Sequence, residues 1–228
     1  MAWRGSVAAL VLALFSASAG SDDGFRVRAV QHAGWWELRY PDGTVAANEL
    51  HIPAGRRVIV DATLDGAGII WFSGGYLPRL GTRATLTFRA SGHERTVAHA
   101  LHLRAPRESE LLIVADERFD QWLAAQRGNA ASPVDAQAAR GEAVFLTARC
   151  TLCHSVRGVA VAEQPIAPDL THVASRSTLA AGALPNGTGP LAGWIVDAET
   201  IKPGAGMPVN NIDSSELQAL LSFLQGLR

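Results

Sequence analysis

The chain has 228 residues, enough for one large domain or two small ones, and its formal net charge is -1. Hydrophobic residues make up 48% of it and charged residues 18%, a balance typical of globular rather than disordered proteins. The near-neutral charge, without any run rich in lysine and arginine, argues against a nucleic-acid partner.

The first residues have the pattern of a secretory signal peptide. Arg4 supplies a basic start, residues 7–15 are all apolar, and Ala17-Ser18-Ala19 fits a small-residue cleavage site. The apolar run is shorter than the roughly 20 residues of a membrane-spanning helix. Residues 1–19 are therefore interpreted as a signal peptide for export to the periplasm, with an uncleaved membrane anchor as the alternative.

Residues 25–127 are predicted to form a β domain. Short apolar runs, such as residues 57–60 and 85–88, alternate with Pro/Gly/Asp turn signals. This spacing favours a small antiparallel sandwich or barrel. A short helix is predicted over residues 116–126, and the small polar residues 128–135 are interpreted as a linker.

The last part, residues 136–228, is predicted to be an α domain. Helices are expected over residues 135–149 and 214–227, the second with Ser214 as its N-cap. The stretch between them is rich in Gly and Pro and carries few residues that could build a core, so a domain of this size would be marginal alone. A large apolar prosthetic group would supply the missing interior.

The chain has only two cysteines, Cys150 and Cys153, and His154 follows them directly. This is the Cys-x-x-Cys-His pattern of c-type haem attachment. Two thiols at this spacing can add to the two vinyl groups of one haem edge, and the next side chain then lies beneath the iron. A disulfide or a thioredoxin-like redox pair is the alternative, but such a redox pair needs a βαβ context. We predict one covalent haem c with His154 as an iron ligand.

Met207 is the candidate for the second axial ligand. It is the only methionine left after signal-peptide removal, and it lies in a Gly/Pro loop without helix or strand periodicity. Such a loop offers little core for a methionine, whereas a thioether bound to iron explains its presence. His172 is the alternative ligand, although its nearness to the haem motif leaves little loop to reach the distal side. A surface role for Met207 is the other alternative.

Two further residues are expected close to the haem. The carbonyl of Pro168 is expected to accept the Nδ1–H of His154 and fix the orientation of that ring; an ordinary turn proline is the alternative. Trp194 is expected to cover the haem edge or to hydrogen-bond a propionate, with core packing as its alternative.

These motifs give residues 136–228 a resemblance to the class I cytochrome c family. Besides the attachment motif, APDL at residues 167–170 and the Lys-Pro-Gly…Met-Pro pattern within residues 202–208 carry it. The resemblance implies an all-α class I cytochrome c fold. That fold packs its first helix against its last, and the matching residues here are Gly141, Phe145, Leu220 and Phe223.

Residues 25–127 resemble the periplasmic cupredoxin domain of cytochrome c oxidase subunit II. The segments WELRYP at residues 36–41 and NELHIPAGR at residues 48–56 carry the resemblance, and FDQWLAAQ at residues 119–126 looks like that domain's exit helix. The segment SRSTLAAG at residues 175–182 resembles the cytochrome c that some bacteria fuse to subunit II. The resemblance implies two domains, an all-β cupredoxin-like Greek-key sandwich followed by the cytochrome c domain.

The resemblance fails at the copper site of subunit II. That binuclear centre is bridged by two cysteine thiolates, and both cysteines of this chain belong to the haem motif. On the family's ligand pattern the cysteine positions fall on Ser91 and Arg95, and the first histidine position falls near Ile69. His99 is retained, and His102 stands where the methionine would be. No binuclear copper centre is therefore expected.

A different metal site is the alternative for this region. His93, His99 and His102 are close in sequence, and imidazoles bind copper and zinc. Because no thiolate or carboxylate clearly completes a ligand set, a remnant loop with solvated histidines is expected. The alternative function is a metal-binding or assembly module for an oxidase.

Together these features predict a periplasmic electron-transfer protein rather than a catalytic subunit. A six-coordinate iron leaves no open position for oxygen or peroxide. The copper-less domain is expected to dock a respiratory membrane complex, such as a haem–copper oxidase, or another redox protein. Any membrane association would then be peripheral and made through the partner. A non-catalytic subunit of a cytochrome c oxidase-like complex is the alternative.

Overall fold

The computed structural model describes residues 24–32, 34–72, 79–89, 95–102 and 108–228. The expected signal peptide at residues 1–19 lies outside the described residues, as do Ser91 and His93. Among the residues that are described, no helix has both the length and the apolar character needed to cross a membrane.

The N-terminal region is rich in β-sheet, as the turn-separated apolar runs predict. Its described residues form the strands β1 Phe25–His32, β2 Trp35–Arg39, β3 Val45–Ala47, β4 Glu49–Pro53, β5 Arg57–Phe72, β6 Arg79–Arg89, β7 Arg95–His102 and β8 Glu108–Asp116. These strands form one sheet in the order β3-β2-β1-β5-β7-β8-β4, with β6 paired to β5.

Strand β5 is long, and its two halves pair with different strands of this sheet. Its residues 58–64 pair in parallel with β1, and its residues 68–72 pair antiparallel with β7. The register against β6 shifts between Thr63 and Gly68. Such an irregularity bends a strand, so the second half of β5 can follow a different course from the first.

One apolar core lies among these strands. In β1 the alternating residues Val27 and Ala29 are fully buried, and in β4 so are Leu50 and Ile52, as expected for strands with one face inward. Strands from both ends of the sheet contribute side chains to this core, so the sheet curves around the core. Helix α1, Phe119–Gln126, covers one end by burying Phe119.

The C-terminal region is mainly helical. Its helices are α2 Ala136–Thr147, α3 Thr188–Val196, α4 Ala198–Ile201 and α5 Ser214–Gly226. Short 3-10 turns lie at Cys150–Leu152 and Val173–Ser175. The strands β9 Thr178–Leu179 and β10 Leu184–Pro185 form an antiparallel pair. This hairpin, residues 178–185, departs from the all-α expectation.

Helices α2 and α5 cross in close contact. An added Cβ at Gly141 would lie 2.0 Å from the carbonyl oxygen of Ala219, so only glycine permits this approach. The rings of Phe145 and Phe223 lie with centroids 5.8 Å apart. This packing confirms the contact expected between the first and last helices of the region.

The N-cap of α5 differs from the expected residue. Asp213, not Ser214, occupies the cap, and its side chain accepts hydrogen bonds from the amides of Ser215 and Glu216. The carboxylate of Glu216 in turn accepts a hydrogen bond from the amide of Asp213, which completes a capping box. The prediction of Ser214 was wrong. Aspartate and serine side chains can both cap a helix, but here the helix begins directly after Asp213, which makes Asp213 the cap.

The two regions touch beyond the linker. The indole Nε1 of Trp35 donates to the carbonyl of Ile166 at 3.1 Å. Lys202 Nζ donates to the carbonyl of Gly34 at 3.1 Å. Residues 128–135 therefore connect regions that are also in contact through side chains.

Candidate haem site

A tight turn brings the two thiols and the imidazole together. Helix α2 ends before Arg149, whose φ of 64° is left-handed, and the chain then turns through Cys150–Leu152. The amides of Cys153 and His154 both donate to the carbonyl of Cys150, at 3.2 and 2.9 Å. Both cysteines are free thiols and half-buried. Burial raises the pKa of the Cys150 thiol.

His154 has one ring nitrogen engaged by the protein. Its Nδ1–H donates to the carbonyl of Pro168 at 2.7 Å, which leaves Nε2 for a metal. Burial lowers the pKa of His154 below its ordinary value, so the neutral imidazole, the form that binds metals, is favoured. The expected hydrogen bond is present; its role in holding a metal-bound ring stays a prediction.

The segment that carries Pro168 is itself anchored beside the cysteine motif. The amide of Leu170 donates to the carbonyl of Ser155 at 2.8 Å. The side chain of Thr171 accepts from the amide of Arg157, also at 2.8 Å. The acceptor of the His154 hydrogen bond is thus held by residues that immediately follow the motif.

The other expected haem residues lie on neighbouring elements. Met207 is half-buried in the segment between α4 and α5, where Gly204 and Gly206 adopt left-handed φ values of 81° and 72°. Trp194 is half-buried on α3. The interactions described for these residues include no direct contact with His154, so the haem roles of Met207 and Trp194 stay predictions.

His172, the alternative ligand, is engaged elsewhere. Its ring is buried, and Nδ1 donates to the carbonyl of Arg228 at 2.9 Å. Its Nε2 is buried and has no hydrogen-bond partner among the described residues. The contact holds this ring at the chain end, and Met207 as the second ligand stays a prediction.

The donor set fits a covalent haem. It offers two free thiols on one turn and an imidazole whose Nε2 is available, and the loop between α4 and α5 carries a thioether. A separate cavity of about 300 Å³ is lined by Val173, Arg176, Asn186 and Leu191, among others. None of the expected haem residues lines that cavity. The candidate haem site is therefore assigned from the chemistry of its donor side chains.

The histidines of the alternative metal site are only partly described. His99 and His102 belong to β7, where their backbones pair with Trp71 and Gly68. His93 lies outside the described residues. Within the described part of the chain, no three His, Cys, Asp or Glu side chains gather as a metal site.

Sequence reasoning missed two charged residues near this site. The guanidinium of Arg176 donates to the carbonyl of Asp169, next to Pro168. Glu49 of β4 accepts hydrogen bonds from the backbone that follows Arg176. A carboxylate in a short strand segment with the apolar residues Leu50 and Ile52 was the signal that could have singled out Glu49.

Comparison with known proteins gives one match to the C-terminal part of the chain and one to most of its length. The sequence model of the cytochrome c family matches residues 138–228. Cytochrome c oxidase subunit 2 of Alkalihalophilus pseudofirmus is 24% identical over 222 residues, which cover 91% of this chain. This chain spans 62% of the length of that relative.

Two solved structures show weaker similarities, each to less than half of the chain. The periplasmic domain of subunit II of the cytochrome oxidase of Bradyrhizobium japonicum is 15% identical, with a TM-score of 0.38 over 45% of this chain and 93% of its own. A heme-copper terminal oxidase dimer is 12% identical, with a TM-score of 0.29 over 47% of this chain and 78% of its own.

Proposed function

We propose that this chain, which joins a cytochrome c domain to a region similar to cytochrome c oxidase subunit II, is a periplasmic carrier of single electrons. It would pass them to or within a haem–copper oxidase-like complex. The observation that carries the proposal is the turn that presents two free thiols beside a histidine whose Nδ1–H is bound by Pro168.

The residues of the site have separate tasks. Haem c supplies an iron that exchanges one electron at a time between its ferrous and ferric states. Cys150 and Cys153 would retain the group through thioether bonds. His154 offers Nε2 as a ligand, and the carbonyl of Pro168 fixes its tautomer and orientation.

Met207 offers its sulfur as the second ligand. A Met/His pair raises the reduction potential relative to two nitrogen ligands. An iron held by both His154 and Met207 would have no open position for oxygen or peroxide, which supports electron carriage. The loop glycines Gly204 and Gly206, both with left-handed φ, shape the backbone that presents this sulfur.

The β region would serve for docking. It retains the strands β1–β8 and the similarity to an oxidase subunit, while the chain has no cysteine outside the haem motif to bridge two copper ions. Its surface, rather than a metal centre of its own, would recognise the respiratory complex.

The proposal is tested on protein exported in a host that matures c-type cytochromes. Haem should stay with the polypeptide after denaturation and acid–acetone extraction, and the purified protein should show one reversible one-electron midpoint potential. Cys150→Ala/Cys153→Ala is the matched control and should release its haem. Complete release from the wild-type chain would overturn the covalent site, and lack of electron exchange with oxidase-containing membranes would overturn the assignment to an oxidase.

A further inference from the structure

A glutamate of the β region binds the cytochrome region beside its haem site. Glu49 Oε1 lies 2.5 Å from the amide nitrogen of Ser177 and 2.8 Å from that of Thr178. Glu49 is only 4% exposed. A buried carboxylate that accepts two backbone N–H bonds fixes the course of the chain at that point.

Arg176 provides the positive charge next to this carboxylate. It is half-buried, and both Glu49 and Asp169 attract it electrostatically. Burial raises the pKa of Glu49, while the bonds from Thr178 and Ser177 and the attraction of Arg176 act in the opposite direction. A buried carboxylate and guanidinium depend on each other, because removing one leaves the other uncompensated.

A short chain of contacts leads from Arg176 to His154. The guanidinium donates to the carbonyl of Asp169, and the preceding carbonyl, that of Pro168, accepts the His154 Nδ1–H. Asn186 holds the backbone of Arg176 from the other side by donating to its carbonyl at 2.8 Å.

The hairpin of residues 178–185 supports the same attachment through independent contacts. Glu110 of β8 donates its amide to the carbonyl of Ala181 at 3.0 Å. Lys202 Nζ bridges the carbonyls of Ala180, at 2.7 Å, and Gly34. Ala180 and Ala181 have φ values of 55° and 53°, a conformation that residues other than glycine hold only when their surroundings fix it.

We propose that Glu49 is a positioning residue for the haem ligand: acting through Arg176 and the carbonyls of residues 168 and 169, it sets the orientation of His154 and the charge around it. The β region then tunes the reduction potential of the cytochrome region, in addition to its docking role. The inference rests on the proposed haem site and is independent of the partner's identity.

The test uses the full mature, haem-loaded protein and the variants Glu49→Ala and Glu49→Gln. Glu49→Ala should shift the midpoint potential upward for two reasons. Arg176 loses its counter-charge, which favours the ferrous state, and a loosened Nδ1–H bond makes His154 a weaker donor to iron. Glu49→Gln keeps an acceptor oxygen for the two amides and loses only the charge, so its upward shift should be smaller.

Hydrogen exchange gives a readout that does not depend on haem chemistry. The amides of Ser177 and Thr178 should exchange about tenfold faster or more in Glu49→Ala, because each loses a hydrogen bond to a charged acceptor. In Glu49→Gln they should stay largely protected. The matched control is Glu37→Ala, which removes another largely buried glutamate, whose partners His32 and Arg39 both belong to the β region.

The measured midpoint potentials decide whether Glu49 positions His154. An upward shift in the Glu49 variants with Glu37→Ala unchanged supports positioning by Glu49. Wild-type potentials in both Glu49 variants, or the same shift in Glu37→Ala, overturn it. If Glu49→Ala fails to fold, an unchanged potential in Glu49→Gln overturns it. A wild-type protein without covalent haem would instead contradict the proposed function.

Discussion

His154 is held at one ring nitrogen and available at the other. The carbonyl of Pro168 accepts Nδ1–H at 2.7 Å, and burial lowers the pKa of the ring. The two effects act together, because the bond selects the tautomer and the lowered pKa keeps Nε2 free of a proton. At the residue scale, the imidazole is prepared for a metal by contacts that the protein makes itself.

A substitution at Met207 tests the second proposed iron ligand. Met207→Ala should remove the weak absorption at the red end of the ferric spectrum that a sulfur-to-iron charge transfer gives, and it should lower the midpoint potential because a sulfur ligand is lost. Val209→Ala is the matched control, since Val209 is 61% exposed in the same loop. A variant of Met207 with the wild-type spectrum and potential would show that another residue is the ligand.

At the scale of elements, the close crossing of α2 and α5 forms the frame of the cytochrome region. Helix α2 leads directly into the cysteine turn, and α5 covers it with Leu220 and Phe223, both buried. Gly141 permits the contact, because an added Cβ would lie 2.0 Å from a backbone oxygen of α5. A change at this crossing should therefore affect the stability of the whole region.

Gly141→Ala should destabilise the haem-loaded protein by about 1–3 kcal/mol, the usual cost of overpacking a core. Denaturant unfolding followed by haem absorbance measures it. Gly189→Ala is the control, because nothing lies within 4 Å of a Cβ added there; it should be neutral or stabilising by up to ~1 kcal/mol, since alanine favours a helix. Equal effects of the two substitutions would contradict the crossing as the cause.

The strand that carries His99 and His102 is a second element with a testable expectation. A binuclear copper centre needs two bridging thiolates, and both cysteines of the chain are in the haem motif. Protein incubated with copper and dialysed should therefore show no mixed-valence signal by electron paramagnetic resonance. A mononuclear copper signal that disappears in His99→Ala would instead support the metal-binding alternative.

At the scale of the whole molecule, the two regions are joined by more than their linker. Trp35 and Lys202 make hydrogen bonds between them, and the buried carboxylate of Glu49 accepts two more from backbone amides. Rotation of the cytochrome region on a flexible tether would break all of these contacts. We therefore expect the two regions to meet a partner as one unit.

A fragment that begins at Ser132 separates the electron-transfer role of the cytochrome region from the docking role of the β region. It retains helices α2–α5 and both predicted iron ligands, so it should still take electrons from ascorbate and a mediator. Only the full protein should bind native membranes, and more weakly at high salt if charged side chains steer the encounter. Membrane binding by the fragment as strong as that of the full protein would contradict a docking role for the β region.

Local patterns were sufficient for most of the secondary structure and for the haem motif. Helix α2 was expected over residues 135–149 and is Ala136–Thr147, because its apolar spacing and its Asp135 cap are local signals. The cap of α5 was misplaced by one residue, and the strands β9 and β10 were not anticipated, because two-residue strands have no detectable periodicity.

The sequence by itself determined the chemistry of the site, since Cys150, Cys153 and His154 are adjacent and their spacing alone suits one haem edge. It also determined that no thiolate remains for a binuclear copper centre. Only the tertiary structure decided that Glu49 lies against Ser177 and Thr178, and that Arg176 reaches the carbonyl beside Pro168. Glu49 and Ser177 are 128 positions apart, and a contact over that separation depends on how the two cores pack rather than on any local pattern.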